Sequence, residues 1–407
     1  MSQVAADVTA VKLTKQQGRA VLLGHPWVFS NAIDSKHTSV KQLTAGETVA
    51  VYDYRDKFIG YGYANPSSLI CIRLLSRDPA QAIDEVLIKR RLQQALALRE
   101  QLRATPHYRL VYSESDGLAG LVVDRFAATL VVQITTAGMQ ARQTMIVEAL
   151  KELLAPKCII LRNDSSIRLL ENLERYTEIA HGEAPKNLEV VEGQAKFVLP
   201  SMDGQKTGWF YDQTDNRRWL PSYVKNRRVL DVCCYAGAWA IQAALHGAEH
   251  VTGVDQSADA IELLLANAEQ NKVAESVTGI EGDAFAVMRD LRKSEQQFDT
   301  IVVDPPAFIK RKKDLKSGIE AYRRLNEYAM RLFAGDGILV SCSCSYHLPR
   351  QELIKLLQRA AKKTGKTLQI LQQGYQSADH PINPAIPESE YLKVVYTRVL
   401  ADDIPTP

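Results

Sequence analysis

Two short motifs in this sequence, each at the end of a predicted strand, carry side chains that could together attack a planar base. Asp304-Pro305-Pro306 follows the apolar run 300–303, and Ser343-Cys344-Ser345 follows the run 337–342. Ligands of an open parallel sheet bind outside the carboxyl ends of its strands. Both motifs are therefore expected in one cleft, where the acid and the prolines can hold a base and the cysteine can attack it.

The chemistry that fits these groups is methylation at carbon 5 of a pyrimidine in RNA. Carbon 5 of cytosine is a poor nucleophile, but thiolate attack on carbon 6 makes an enamine that can take a methyl group from a sulfonium. Loss of the carbon 5 proton then expels the cysteine. A free thiol has a pKa near 8.5, so local activation is needed. We predict Cys344 as the nucleophile and Asp304 as the acid that contacts N3 or N4 of the base.

Two cysteines compete for the role of nucleophile. Strand alternation places Cys342 and Cys344 on the same face, so periodicity cannot choose between them. Cys344 lies further along the strand and nearer the expected cleft. Free cysteine is often a small buried hydrophobe. A buried structural role is the favoured interpretation of Cys342, and the same role stays open as an alternative for Cys344.

A cofactor site is predicted where the first strand of the carboxyl-terminal half runs into a helix. The segment 229–239 contains Asp231, Tyr235 and Gly237, and a turn of small residues lets the backbone approach a ligand closely. Asp255 ends the next strand and could accept hydrogen bonds from ribose hydroxyls. Asp283 ends the third strand and suits an adenine amino group.

Other interpretations of this segment remain open. An ordinary turn between strand and helix would explain 229–239 by itself, and NAD would explain the turn and Asp255 equally well. NAD explains neither the Asp-Pro-Pro motif nor the cysteine that follows the later strand. S-adenosylmethionine explains all of these features, and it is the predicted cofactor.

The elements that must position these residues form an α/β pattern. A doubly wound sheet follows from the alternation of strands and helices after about residue 205, with strands predicted at 228–233, 250–254, 277–280, 299–303, 337–342 and 391–399. Upstream, closely spaced strands in 1–75 predict a small β-barrel. A helix is predicted over 84–102, and an α+β unit over 107–200.

Composition limits the choice of partner and compartment. The chain has 407 residues, 24% of them charged, and a net charge of +3, so an RNA-binding surface would have to be local. Lys310, Arg311, Lys312 and Lys313 form a basic run that could hold RNA phosphates or could be a solvated loop. The six cysteines lack a paired zinc pattern, so no metal is predicted. The lack of signal-peptide features and of a membrane-length apolar stretch predicts a cytoplasmic protein with free thiols and no membrane partner.

Taken together, the motifs resemble those of the RlmI-type 23S ribosomal RNA cytosine-5 methyltransferases, a class I S-adenosylmethionine-dependent family. The resemblance covers nearly the whole chain and rests on eight segments: 24–30, 113–121, 124–126, 206–213, 304–308, 343–345, 379–381 and 391–393. It implies a PUA-like RNA-binding β-barrel over 1–80, a connecting helix over 81–104, a central α+β (EEHEAD) domain over 105–200 and a Rossmann-like methyltransferase domain over 201–407.

The same resemblance assigns roles to particular residues and partners. It places the catalytic cysteine at Cys344 and RNA contacts at His25 and Trp27. It also implies that 23S ribosomal RNA or a large-subunit assembly intermediate is the substrate, and it is compatible with a homodimer. The cofactor-flanking motif 206–213 adds further cofactor contacts, namely Phe210, Asp212 and Gln213.

The chain departs from the family pattern at two positions. Ala238 follows Gly237 where the family commonly has a second glycine, and its methyl group could narrow the cofactor turn. Thr214 stands where an arginine is common, which could alter a salt bridge or an RNA contact. Two alternatives therefore stay open, namely methylation of another RNA atom such as a guanine nitrogen, and a non-catalytic ribosome-assembly factor that binds RNA.

Overall fold

The chain forms two compact units in a computed structural model that describes residues 8–16, 18–202 and 208–401. The first unit comprises Met1–Leu188, Pro200–Tyr211 and Asp379–Ser389, and the second comprises Glu189–Leu199, Asp212–Ala378 and Glu390–Pro407. Lys206 and Thr207 of the predicted cofactor-flanking motif lie outside the described residues. The division into three domains and a connecting helix stays a prediction.

The first unit contains ten strands and four helices among the described residues. The strands are β1 (Thr9–Lys12), β2 (Trp27–Phe29), β3 (Thr48–Tyr52), β4 (Phe58–Ala64), β5 (Ile70–Ser76), β6 (His107–Tyr112), β7 (Leu121–Phe126), β8 (Thr129–Ile134), β9 (Cys158–Asn163) and β10 (Tyr176–Gly182). The helices are α1 (Arg19–Leu22), α2 (Glu85–Leu102), α3 (Ala137–Gln140) and α4 (Gln143–Leu154). One sheet has the order β1-β3-β4-β5-β2, and the other has the order β10-β9-β8-β7-β6.

The first of these sheets closes on itself. Its edge strands are β1 and β2, and an antiparallel bridge joins Leu13, just after β1, to Ile33, which follows β2. The Asp34 amide also donates to the Lys12 carbonyl oxygen at 2.8 Å. Closure leaves few unpaired edge groups, and it confirms the small β-barrel predicted from the closely spaced strands.

Helix α2 matches the helix predicted over 84–102. Asp84 begins it, because its side chain accepts a hydrogen bond from the Leu87 amide at 2.8 Å. The buried face of the helix includes Leu92 and lies in one hydrophobic core with residues of both sheets, such as Tyr63 and Leu121. The two sheets of this unit therefore share a core.

The second unit is built on a seven-stranded sheet. Its strands are β13 (Arg228–Val232), β14 (His250–Asp255), β15 (Val277–Glu281), β16 (Phe298–Val303), β17 (Phe333–Ser343), β18 (Lys366–Gly374) and β19 (Lys393–Ala401). A two-stranded ribbon, β11 (Asn187–Glu192) and β12 (Ala195–Pro200), precedes them and begins at the boundary between the units. The helices are α5 (Thr214–Arg217), α6 (Ala238–Leu245), α7 (Ala258–Gln270), α8 (Ala284–Lys293), α9 (Leu315–Met330) and α10 (Arg350–Lys363).

The strand order is β15-β14-β13-β16-β17-β19-β18. Neighbouring strands from β15 to β17 are parallel, and β19 is antiparallel to both β17 and β18. This confirms the Rossmann-like α/β sheet and its six predicted strands. The sequence did not predict β18, an edge strand of mostly polar and partly exposed residues that lacks a clear alternating pattern.

Two kinds of feature are absent from the described residues. Among the helices of the described ranges, none is long and apolar enough to cross a membrane. In the same part of the chain, no group of three or more His, Cys, Asp or Glu side chains is placed to hold a metal ion.

Candidate active site

The turn between β13 and α6 has the backbone of a close-approach loop. Cys233, Tyr235 and Gly237 all have positive φ angles, of 67°, 49° and 80°. A Cβ at Gly237 would lie 2.3 Å from Cδ1 of Leu264, so this position requires glycine for space as well as for conformation. Ala238 is the first residue of α6, after the turn rather than at its strained position.

Asp231 lies inside the second unit, where it links β13 to α6. Its carboxyl is fully buried, and Oδ2 accepts a hydrogen bond from the Ala240 amide at 3.1 Å. Burial, helped by the nearby charge of Asp304, raises the pKa of Asp231 to about 8. The other oxygen, Oδ1, has no hydrogen-bond partner among the described residues.

Asp255 and Asp283 lie at the carboxyl ends of neighbouring strands. The Asp255 carboxyl accepts hydrogen bonds from the amides of Tyr235 at 3.0 Å and Ser257 at 3.1 Å. The Gly282 amide donates to the Asp255 carbonyl oxygen at 2.8 Å, which places Asp283 next to it. Asp283 is exposed and caps α8. The structure therefore brings the cofactor turn and both predicted acids to one edge of the sheet.

Asp304 follows β16 and receives two side-chain hydrogen bonds on one oxygen. Gln213 Nε2 donates to Oδ2 at 3.0 Å, and Trp239 Nε1 donates to the same atom at 3.1 Å. Burial raises the pKa of Asp304 to about 6, against the lowering effect of these two donors. Both of these side-chain hydrogen bonds use Oδ2 and neither uses Oδ1, which makes Oδ1 the candidate oxygen for a ligand contact.

Asp212 and Gln213 precede helix α5. Asp212 is buried, and the Tyr391 hydroxyl donates to its Oδ2. Gln213 is also buried and holds Asp304, as described above. Phe210 belongs to the first unit.

A buried ion pair adjoins this segment, and the sequence analysis did not identify it. Arg217 contacts both carboxylate oxygens of Glu192, at 2.7 Å through Nε and at 2.6 Å through Nη2. Thr214, where the resemblance led us to expect an arginine, donates to the same carboxylate at 3.1 Å. Thr214 is therefore part of a buried polar network.

Cys344 lies just beyond the end of β17. Its side chain is half-buried, and Sγ is 4.0 Å from the carbonyl oxygen of Pro305, so the two predicted motifs do meet. Cys342 lies within the strand and is fully buried. Burial raises the pKa of the Cys342 thiol well above its usual value.

The residue after Cys344 is held from two sides by groups that the sequence analysis did not assign. Ser345 Oγ accepts a hydrogen bond from the Ile309 amide at 3.1 Å and lies 2.9 Å from the Tyr322 hydroxyl. Lys393 Nζ donates to the Ser345 carbonyl oxygen at 2.6 Å and to that of Tyr391 at 2.7 Å. The available sequence signal was a lysine that begins a mostly apolar strand.

The predicted RNA-contact residues fall in both units. Lys310, Arg311, Lys312 and Lys313 are all exposed, and Arg311 pairs with Asp314 at 3.2 Å. This run directly follows Ile309, which is tied to the cysteine segment.

In the first unit, His25 and Trp27 are partly buried. His25 Nδ1 accepts a hydrogen bond from the Trp27 amide at 3.1 Å, and the Trp27 indole donates to Glu114 at 3.0 Å. The Trp27 ring is thereby held at the start of β2.

Two family models match parts of the chain. The PUA-like domain matches residues 11–77, and Conserved hypothetical protein 95 matches residues 177–368. Among curated proteins, Ribosomal RNA large subunit methyltransferase I of Shigella boydii serotype 4 (strain Sb227) is 35% identical over 394 residues, covering 95% of this chain and 98% of the relative. The protein of the same name from Escherichia coli O157:H7 shows the same identity and coverage.

Solved structures share the fold at lower identity. The crystal structure of SMU.776 complexed with SAH has a TM-score of 0.82 and 20% identity, and the match covers 96% of this chain and all of that one. The M. jannaschii tRNA m1G37 methyltransferase has a TM-score of 0.50 and 14% identity over 77% of this chain and 79% of its own. These structures support the arrangement of the sheet and its helices.

Proposed function

Because the chain belongs to the ribosomal RNA large subunit methyltransferase I family, we propose that it methylates carbon 5 of a cytosine in 23S ribosomal RNA. The proposed reaction uses S-adenosylmethionine and a covalent bond between Cys344 Sγ and carbon 6. One observation carries this proposal: Cys344 Sγ lies 4.0 Å from the carbonyl of Pro305, beside the acid Asp304.

The residues at the edge of the sheet fit the cofactor. Gly237 lets the turn pack closely against Leu264 with a positive φ, and the acids Asp255 and Asp283 can meet ribose hydroxyls and an adenine amino group. Asp212, Gln213 and Tyr235 are proposed to line the same site, and Asp231 to support its turn from within. When it is bound there, S-adenosylmethionine supplies an electrophilic methyl group.

Cys344 and Asp304 would divide the chemistry between them. The Sγ electron pair forms a bond to carbon 6, and the displaced ring electrons make carbon 5 the nucleophile that accepts the methyl group. The proton of carbon 5 then leaves to a base, and the electron pair of that bond restores the ring double bond as sulfur departs. With a pKa of about 6, Asp304 can hold a proton for N3 or, when ionised, accept a hydrogen bond from the N4 amino group.

The basic run would hold RNA beside this site. Lys310, Lys312 and Lys313 are exposed and form no ion pair within the described residues, so they are available to phosphates. The target base must leave its stack to reach the thiol. The PUA-like barrel with His25 and Trp27 is proposed as a second RNA contact, and 23S ribosomal RNA or a large-subunit assembly intermediate as the substrate.

The test is nucleoside mass spectrometry on ribosomal RNA from cells that lack the gene. Wild type and Cys342→Ala should restore 5-methylcytidine, and Cys344→Ala should not. The Cys342 variant is a matched control, since it removes a buried thiol from the same strand. Restoration by Cys344→Ala would refute the covalent mechanism, and a missing methylated purine would instead indicate transfer to another RNA atom.

A further inference from the structure

Lys393 is a buried lysine whose position needs an explanation. It begins β19 directly opposite Ser343 of β17 and is only 4% exposed. No carboxylate lies within ion-pair distance of its Nζ among the residues that the structure describes, and its two hydrogen-bond acceptors are the carbonyls of Ser345 and Tyr391. Burial of a lysine without a counter-charge is costly, so a buried position of this kind is typical of a functional group.

One candidate for a counter-charge is the thiol of Cys344. The carbonyl that Lys393 binds belongs to the residue directly after Cys344, and the two side chains interact electrostatically. Burial lowers the pKa of Lys393 to about 8, and the interaction with Cys344 opposes that change. At neutral pH, therefore, the ammonium form of Lys393 predominates.

Other charged or titratable groups act on this pair. Arg350 of α10 lowers and Glu390 raises the pKa of Lys393. Tyr322 of α9 interacts with Cys344, and its own pKa is raised to about 12, mainly by burial, so it stays neutral. Burial, together with the charges of Asp304 and Cys344, raises the pKa of the Cys342 thiol, so Cys342 stays neutral. Lys393 is a cation that directly contacts the cysteine segment, through the Ser345 carbonyl at 2.6 Å.

We propose that Lys393 is a positioning residue that anchors the segment 343–345 through the Ser345 carbonyl and stabilises the Cys344 thiolate with its ammonium charge. This rests on the proposed role of Cys344 as the nucleophile. Thiol ionisation is the step that a covalent mechanism needs, and a nearby opposite charge lowers a pKa by about one to three units. The proton leaves to solvent, and the charge of Lys393 is unchanged in the step.

The test is the pH dependence of alkylation at Cys344 in the full chain, with iodoacetamide as the probe and peptide mass spectrometry to resolve each cysteine. Lys393→Met should move the midpoint of Cys344 alkylation upward by about one pH unit or more, and Lys393→Arg should restore most of that shift. Lys366→Met is the matched control, because Lys366 also donates to a carbonyl, that of Gly335, but on β18. The control should leave the midpoint unchanged.

An unshifted midpoint in a folded Lys393→Met variant would overturn the proposal. If that variant does not fold, the wild-type protein provides the test. A wild-type alkylation midpoint for Cys344 at or above pH ~8.5, the pKa of an ordinary thiol, would also overturn the proposal. The readout does not involve RNA, so it separates the two proposals. Methyl transfer by the Cys344→Ala variant would refute the covalent mechanism. If Cys344→Ala is inactive but the alkylation midpoint is unchanged in Lys393→Met, only the proposed role of Lys393 is refuted.

Discussion

Replacing Trp239 with phenylalanine should raise the pKa of Asp304. The indole Nε1 donates to Asp304 Oδ2 at 3.1 Å, and Gln213 donates to the same oxygen at 3.0 Å. Phenylalanine keeps an aromatic ring in the buried site of Trp239 and removes only this donor and part of the ring volume. Because the donor stabilises the ionised carboxyl, its loss favours the protonated form.

The size of the shift follows from the strength of the lost bond. A hydrogen bond to a charged group contributes about 1.5–3 kcal/mol, and one pKa unit corresponds to about 1.4 kcal/mol. From the starting value of about 6, the pKa of Asp304 should rise by about one to two units. Near neutral pH the carboxyl would change from mostly ionised to at least about half protonated.

The assay is the pH dependence of the methyl-transfer rate under single-turnover conditions with labelled cofactor. The inflection due to Asp304 should move upward in Trp239→Phe, and in the same direction in Gln213→Leu. Trp219→Phe is the control, since Trp219 packs edge-on against Tyr396 at 5.8 Å and makes no hydrogen bond to Asp304 among the described residues. The reasoning fails if the Trp239 variant keeps the wild-type inflection or if the control shifts equally.

Three further predictions concern the framework of the site. Gly237→Ala should weaken cofactor binding in calorimetry and lower the melting temperature, because its Cβ would lie 2.3 Å from Leu264; unchanged binding would contradict the close-approach role of the turn. Arg217→Met should lower the free energy of unfolding in urea by about 3–5 kcal/mol, since it leaves Glu192 buried without its positively charged partner; a loss below about 1 kcal/mol, the value of an exposed ion pair, would contradict this. Asp231→Asn should become more stable relative to wild type as pH rises from about 4 to about 8. The folded wild type favours the protonated Asp231, whose pKa is raised from 3.8 to about 8, so the wild type loses stability over that interval and the asparagine variant does not. A stability difference that does not vary with pH would contradict this.

Much of the sheet was readable from local pattern. Strands β13 to β17 are apolar runs between polar turns, and their parallel order follows from their alternation with helices. The same logic placed Asp304 and Cys344 at neighbouring strand ends, where the structure has Sγ near Pro305. The strand order and the positions of Asp304 and Cys344 could be predicted because both depend on short-range periodicity, which is visible in a single sequence.

The tertiary structure decided what depends on contacts between distant residues. The sequence pattern places Cys342 and Cys344 on the same strand face. In the structure, β17 ends at Ser343, so Cys342 lies within the strand and is buried, whereas Cys344 lies beyond it and is half-buried. The roles of Thr214 and Lys393 could not be predicted, because their partners come from other segments of the chain. A hydrogen bond or a burial cost is a property of the packed neighbourhood, and residue order specifies that neighbourhood only through the complete fold.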